Sequence, residues 1–147
     1  MSSWMAITNR KNWGIIKQNN IYGVPYRSAN QINKVKIGDN IAFFVKKETT
    51  ERGLEPSSLV GIYSVTSNVY EEDSDLFEAP VTNLKEAFPL RIKLKPLNIF
   101  KDPIVFKDIV PNLKFVKNKI NWGGQFQGIS IRGIPDVDFQ FILDQSK

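Results

Sequence analysis

Apolar and polar positions alternate along the chain in short blocks, a pattern that predicts many short strands. Ile41 to Val45 and Leu59 to Val65 are apolar runs rich in β-branched and aromatic residues, as buried strands are. Leu90 to Leu97 alternates apolar and basic positions, so we expect a strand with one face in the core and the other, including Arg91, in solvent. Further extended segments are expected at Trp4 to Ile7, Ile21 to Val24 and Gln127 to Arg132.

Two longer helices are predicted from the same pattern. The first follows Thr8 or Asn9, either of which can cap its start, and Trp13 and Ile16 lie three residues apart on one face. The second starts at Pro135 and carries apolar residues at the i, i+3 and i+4 spacing. Because the strands do not alternate regularly with helices, the order favours an α+β fold, a compact mixed sheet or barrel with helices at its rim. Loops are expected at Lys46 to Ser57, Tyr70 to Phe88 and Asn121 to Gly128.

The length of 147 residues predicts a single domain spanning residues 1–147. No apolar run approaches the ~20 residues that a membrane-spanning helix needs. Met1 to Asn9 also lacks the apolar stretch of a secretory signal. These features favour a cytoplasmic protein with no membrane partner, and we expect a monomer.

The absence of histidine and cysteine narrows the chemistry most. It removes disulfides, zinc sites and histidine-based catalytic triads. General base catalysis would fall to Asp, Glu, Lys or Tyr, whose pKa values would need strong perturbation. Carboxylates can still bind magnesium or calcium, but those between Glu71 and Glu78 show no ligand spacing. We therefore expect a binding protein without catalytic residues, metal or cofactor.

The formal net charge is +5, and the positive charge is concentrated in one stretch. Eight basic residues lie between Arg91 and Lys119, against two acids, Asp102 and Asp108. Such a run indicates either a surface that binds a polyanion through its phosphates or a lysine-rich face that keeps the protein soluble. Charge alone leaves both interpretations open. The eight residues are Arg91, Lys93, Lys95, Lys101, Lys107, Lys114, Lys117 and Lys119.

Two groups of aromatic residues are candidates for stacking against nucleobases. The first comprises Trp4, Trp13, Tyr22 and Tyr26, and the second centres on Trp122 beside two glycines. Trp4 and Trp13 fall on predicted core faces, where packing is the simpler explanation. Tyr22 precedes a glycine and Trp122 sits in a polar loop, so both are stronger candidates for a binding site.

Several short motifs, in this order and spacing, resemble the EVE domain of the PUA-like superfamily, whose close structural relative is the YTH domain. Each motif is weak alone, but together they cover nearly the whole chain. The motifs are Thr8-Asn9 with Asn12-Trp13, Tyr22 to Pro25, Val35 to Asp39, Val60 to Val65 with Tyr70, Pro89 to Ile92, Leu113 to Lys119, Gly128 with Arg132, and Asp138-Phe139.

The resemblance implies a PUA-like mixed β-barrel with flanking helices and a pocket that holds a nucleobase, often a modified one. Two positions matched to the YTH pocket are Asn12 and Tyr22, although many EVE domains carry Trp in place of this Tyr. The opposite aromatic wall is left open among Tyr70, Phe77 and Trp122. The implied partner is RNA or DNA, and the alternative is an enzyme or metabolite-binding protein acting on a nucleotide-like small molecule. The expected ligand-binding residues are Thr8, Asn9, Asn12, Tyr22, Gly23, Val24, Tyr70, Arg91 and Trp122.

Overall fold

The computed structural model describes residues 1–72, 74–77 and 88–147. Within these residues the chain forms nine strands and four α-helices. The strands are β1 (Ser3–Thr8), β2 (Ile21–Val24), β3 (Asn40–Val45), β4 (Glu48–Thr50), β5 (Gly53–Glu55), β6 (Ser58–Val65), β7 (Tyr70–Glu71), β8 (Leu90–Val105) and β9 (Ile131–Ile134). The α-helices are α1 (Arg10–Asn19), α2 (Ala29–Ile32), α3 (Phe106–Ile109) and α4 (Asp136–Gln145), and short 3-10 helices lie at Tyr26–Ser28, Val110–Asn112 and Trp122–Phe126.

The main sheet is mixed and runs in the order β2-β8-β6-β3-β1-β9, with β7 pairing on β8. β1 and β3 run parallel, and the other pairs are antiparallel. The register shifts twice between β6 and β8 and once between β3 and β6, and such bulges bend a sheet. The sheet curls into a half-barrel with the helices at its flanks, so the predicted α+β fold, a mixed sheet with helices at its rim, is confirmed.

Two apolar clusters lie on the two faces of the sheet. Adjacent residues of β3 point to opposite sides, as the period of a strand requires. Phe43 therefore packs with Trp13 and Tyr63 in one cluster, and Phe44 packs with Phe106 and Phe126 in the other. The first cluster also receives Tyr22, which brings the binding candidate against the core.

Asparagines define both ends of α1. The Asn9 side chain accepts a hydrogen bond of 2.8 Å from the Asn12 backbone N–H, which caps the helix start. Asn20 adopts the left-handed conformation with φ of 56°, and its N–H donates to the Ile16 carbonyl. The start of α1 agrees with the sequence prediction, which named Asn9 as one of two candidate caps, and Asn20 ends the helix directly before β2.

Several local predictions differ from the structure. Arg91 was expected in solvent, but it is fully buried because β2 and β7 cover β8 at that point and acceptors surround its guanidinium. The predicted loop from Lys46 to Ser57 contains the β4–β5 hairpin, and β8 is much longer than the predicted strand. The predicted connection from Tyr70 to Phe88 lies in large part outside the described residues.

No helix among the described residues is long and apolar enough to cross a membrane.

Candidate functional site

A narrow cavity of about 260 Å³ opens where the start of α1, the strand β2 and residues 128–130 meet. Its lining combines aromatic, amide, hydroxyl and cationic side chains. We call it the Tyr22 cavity. Its described lining residues are Ile7, Thr8, Asn9, Asn12, Tyr22, Gly23, Arg27, Lys46, Phe77, Phe88, Gly128, Ile129 and Ser130.

The floor of this cavity is fixed by the hydroxyl of Tyr22. That hydroxyl lies 2.6 Å from the Ser130 carbonyl oxygen and 2.9 Å from the Ile7 carbonyl oxygen, so its proton is shared between two acceptors. Burial raises the pKa of Tyr22 above its usual value, which keeps the hydroxyl protonated and able to donate. The ring stands edge-on to Phe43 at 5.3 Å. The Tyr22 hydroxyl is therefore buried away from water and bound by backbone carbonyls of two other segments.

One wall of the cavity is aromatic and packs tightly against β2. Phe77 and Phe88 meet edge to face, with ring centroids 6.3 Å apart. A Cβ added at Gly23 would lie 2.8 Å from both the Phe77 ring and the Phe88 carbonyl oxygen. Gly23 is thus required by the close approach of this wall, and of the three candidates for the second aromatic wall the structure brings Phe77 into the cavity.

Arg91 contacts both residues of the aromatic wall and is not part of the described cavity lining. Its guanidinium lies over the Phe77 ring, 5.5 Å from the centroid. It donates to the Phe88 carbonyl at 3.2 Å and to the Ser74 hydroxyl at 2.7 Å, and it also donates to the Ser74 carbonyl. A 3.3 Å ion pair with Glu72 completes its surroundings. Arg91 therefore holds Phe77 and Phe88 in place, and its cation is not presented to a ligand.

The polar side of the cavity lies at the start of α1. Thr8 and Asn12 are buried, and Asn9 is occupied in capping the helix. Arg27 and Lys46 contribute positive charge to the lining, and the Lys46 backbone N–H donates to the Thr8 carbonyl at 3.0 Å. The cavity lining thus combines an amide, a hydroxyl and two cations with an aromatic wall.

The predicted site residues divide into two sets. The structure brings together Thr8, Asn9, Asn12, Tyr22 and Gly23 around the Tyr22 cavity. The remaining four lie elsewhere. Val24 packs in the core, and Tyr70 pairs with Arg91 on the sheet. Arg91 packs against the ring of Phe77, and Trp122 lines a different depression.

The basic run from Arg91 to Lys119 is not gathered at the Tyr22 cavity, whose described cations are Arg27 and Lys46. Arg91 is buried, and Lys119 donates to the Val110 and Leu113 carbonyls. Lys107 lines the depression that contains Trp122. A phosphate-binding face formed by this run, one of the two interpretations drawn from the sequence, is therefore not found at the Tyr22 cavity, because β8 and the segment after it carry the basic residues to separate places.

A larger depression of about 830 Å³ lies next to the Tyr22 cavity. We call it the Trp122 groove. The β4–β5 hairpin forms one side, and residues 120–128 form the other. Ile7, Lys46 and Gly128 line both the groove and the cavity, so the two are adjacent.

Sequence reasoning missed Phe88, Arg27, Lys46 and Ser130 as cavity residues. Phe88 adopts a left-handed φ of 48°, which is rare for an aromatic residue and has no local sequence signal. Ser130 contributes mainly its backbone carbonyl, which no side-chain pattern reveals. Among the described residues, no three Asp and Glu side chains converge as a metal site would require.

The curled mixed sheet and its flanking helices have the PUA-like α+β architecture that the sequence motifs implied. The sequence matches the family model of the EVE domain over residues 2–145, and the chain belongs to the EVE domain family. UPF0310 protein PH1033 of Pyrococcus horikoshii is 42% identical over 144 residues, which span 97% of each chain. The resemblance drawn from the sequence motifs is therefore confirmed.

Two solved structures share the fold at low sequence identity. Human THYN1 protein, in complex with 5-methylcytosine-containing DNA, superposes with a TM-score of 0.66 at 15% identity, covering 100% of this chain and 98% of that chain. The YTH domain of the Zygosaccharomyces rouxii MRB1 protein, in complex with N6-methyladenosine RNA, gives 0.64 at 11% identity, covering 99% and 87%. These likenesses establish the fold.

Proposed function

We propose that the chain is a nucleic-acid reader that takes one nucleobase, preferentially a methylated base, into the Tyr22 cavity. The observation that carries the proposal is the juxtaposition of the aromatic wall formed by Phe77 and Phe88 with the Asn12 amide, in a cavity lined also by two cations. Structures of the same fold hold 5-methylcytosine DNA and N6-methyladenosine RNA, which supports this class of ligand.

The size and walls of the cavity suit a flat heterocycle. Its volume of about 260 Å³ lies just below the ~300 Å³ at which pockets for drug-sized ligands begin. Phe77 and Phe88 offer faces and edges for stacking, which is worth ~1–3 kcal/mol per base. A methyl group on the base would add apolar contact with this wall, and it would be poorly accommodated on the polar side near Thr8.

The polar side supplies recognition of the base edge. A carboxamide has both a donor and an acceptor, so Asn12 can pair with two neighbouring atoms of a base. The Thr8 hydroxyl adds a second donor or acceptor beside it. Arg27 and Lys46 would interact with the phosphates on either side of the captured nucleotide. Because the described lining supplies no carboxylate for acid–base chemistry, we propose binding and not catalysis.

The test is a binding screen of single-stranded and duplex oligonucleotides in which one central base is unmodified or methylated, as DNA and as RNA. We expect methylated oligonucleotides to bind at least several-fold more tightly, with affinity falling steeply as salt rises. Asn12→Ala should remove the preference for the methylated base, and Gln18→Ala, an exposed change on the same helix, should not. Equal affinity for every oligonucleotide, unchanged by Asn12→Ala, would overturn the proposal.

A further inference from the structure

The Trp122 groove carries charge and aromatic surface that the captured base does not use. Lys46, Lys47 and Lys107 line it, and Trp122 presents its half-buried ring to it. Leu54 is 69% exposed on the hairpin side of the groove. An apolar surface bordered by cations is the composition that binds an unpaired nucleic-acid strand, whose bases stack while its phosphates pair with lysine.

The groove is built on anchored backbone. Ser57 accepts the Lys47 backbone N–H at 3.0 Å through its hydroxyl, and its carbonyl accepts the Phe106 N–H at 2.9 Å. Trp122 packs edge-on against Phe106, with ring centroids 5.1 Å apart. The ion pair between Arg10 and Glu55, at 2.7 Å, ties the hairpin to α1. The backbone that carries Lys47 and the ring of Trp122 are therefore anchored along the groove.

The position of the groove beside the Tyr22 cavity favours one kind of occupant, a nucleic-acid strand. Lys46 lines both depressions, and Gly128, with φ of +73°, lies at their junction. A nucleotide whose base enters the Tyr22 cavity must continue along the surface through its sugar and phosphate. The groove lies directly beside that exit and bears three of the positive charges that a phosphate chain requires.

We infer that the Trp122 groove binds the unpaired nucleotide next to the captured base, with Trp122 stacking on its base and Lys47 and Lys107 contacting the adjacent phosphates. The inference rests on the proposed function and extends it, since it names the partner as a single-stranded or locally unpaired stretch and not an isolated nucleoside. The protein thus holds two consecutive bases on two separate aromatic surfaces.

The first experiment uses the unaltered protein. Affinity is measured for the preferred modified nucleoside, for an oligonucleotide carrying it centrally, and for the same oligonucleotide with an abasic site on its 5′ or its 3′ side. We expect the intact oligonucleotide to bind far more tightly than the nucleoside. An abasic site on one of the two sides should lower affinity roughly tenfold, the effect of losing one stacked base.

Variants then assign that effect to the groove. Trp122→Ala should bind the intact oligonucleotide as weakly as the unaltered protein binds the abasic one, while nucleoside affinity stays unchanged. Nucleoside binding shows that a variant is folded, and Trp122→Phe retains part of the packing on Phe106. Lys47→Gln and Lys107→Gln should each reduce the salt dependence of single-strand binding by about 0.7 in log–log slope. Lys34→Gln, an exposed change outside both linings, is the matched control.

The outcomes separate the inference from the function on which it rests. If no modified base is preferred by the unaltered protein, the proposed function fails first. If the base preference holds but abasic neighbours, Trp122→Ala and both lysine variants leave oligonucleotide affinity unchanged, the groove does not bind the strand. That second result would overturn the inference and leave an acidic or apolar protein segment as the candidate occupant of the groove.

Discussion

The hydroxyl of Tyr22 lies 2.6 Å from the carbonyl oxygen of Ser130, a residue 108 positions further along the chain. The same carbonyl accepts the Ile7 backbone N–H at 2.8 Å. One carbonyl therefore joins β1, β2 and the segment that leads into β9. This contact makes Tyr22 the support of the cavity floor, and it changes what substitution of Tyr22 should do.

Tyr22→Phe should lower stability and have little effect on ligand affinity. The change removes the shared hydroxyl proton but leaves the ring against Phe43, so the Ile7 carbonyl loses a buried partner. The expected loss is about 1–2 kcal/mol in the free energy of unfolding. Denaturant titration measures this loss of stability. Tyr70→Phe is the control, because it removes the hydroxyl of a ring that is only half-buried. A strong loss of base affinity in fully folded Tyr22→Phe would instead show that the hydroxyl contacts the ligand.

Gly23→Ala should close the cavity. The new methyl group would lie 2.8 Å from the Phe77 ring and from the Phe88 carbonyl oxygen, so the aromatic wall must move. We expect a stability loss of about 1–3 kcal/mol from overpacking, together with loss of base binding. Gly14→Ala is the control, because a Cβ there meets nothing within 4 Å on an exposed face of α1. That control should gain up to about 1 kcal/mol from helix propensity and retain binding, as thermal unfolding and a titration would show.

Arg91→Gln should weaken base binding without changing its salt dependence. The buried guanidinium supports Phe77 and Phe88 and does not face a phosphate. Loss of its charge-assisted hydrogen bonds should cost about 2–3 kcal/mol of stability. The slope of log affinity against log salt should match that of the unaltered protein, and Lys93→Gln, exposed on the same strand, serves as the control. A slope lower by about 0.7 to 0.9 would mean that Arg91 does contact a phosphate.

Asp39 makes stability depend on pH at the acidic end. Burial opposes ionisation of its carboxyl, but hydrogen bonds from the Ser2 and Lys36 backbone N–H groups and the Trp4 indole outweigh it, so the pKa of Asp39 lies below its ordinary value. A lowered folded-state pKa contributes stability that is complete above the unfolded pKa of about 3.9 and is lost as pH falls through the folded value.

Asp39→Asn tests this directly. It should cost about 2 kcal/mol at neutral pH, and the difference from the unaltered protein should shrink below about pH 4. Urea unfolding at a series of pH values measures both, and Asp144→Asn, an exposed change near the end of α4, is the control. A difference of constant size down to pH 2 would show that ionisation of Asp39 does not contribute.

The arrangement of the fold was largely predictable because local rules governed it. The apolar runs predicted as strands form β3 and β6 of the buried sheet. The Asn9 side chain caps the start of α1, and Asn20 ends the helix in the left-handed conformation, which Asn tolerates. The β4–β5 hairpin was not predicted because its residues are mostly exposed and polar. Without an alternation of apolar and polar positions, its sequence cannot be distinguished from that of a loop.

The site was only partly predictable, because its contacts join distant segments. Arg91 sits at an alternating basic position that is typical of a solvent face, and its partners Glu72 and Ser74 come from another segment. The acceptor of the Tyr22 hydroxyl is a backbone carbonyl, which carries no residue signature. Asn12 was predicted from the family resemblance and Gly23 from its place beside Tyr22, and both line the Tyr22 cavity. Lys46 was missed because only the parallel pairing of β1 with β3 brings it beside Thr8.

The position of β1 between β3 and β9 governs when the cavity can be completed during synthesis. β3 follows β1 closely along the chain and pairs with one of its edges. Ser130 and β9 are translated after the other strands of the main sheet, so until then the nascent chain holds β1 with one edge unpaired. An open strand edge is a site for wrong pairing with other chains. The cavity floor is therefore completed only once Ser130 has been translated, and a chain interrupted before Ser130 would present an aggregation-prone edge and no finished cavity.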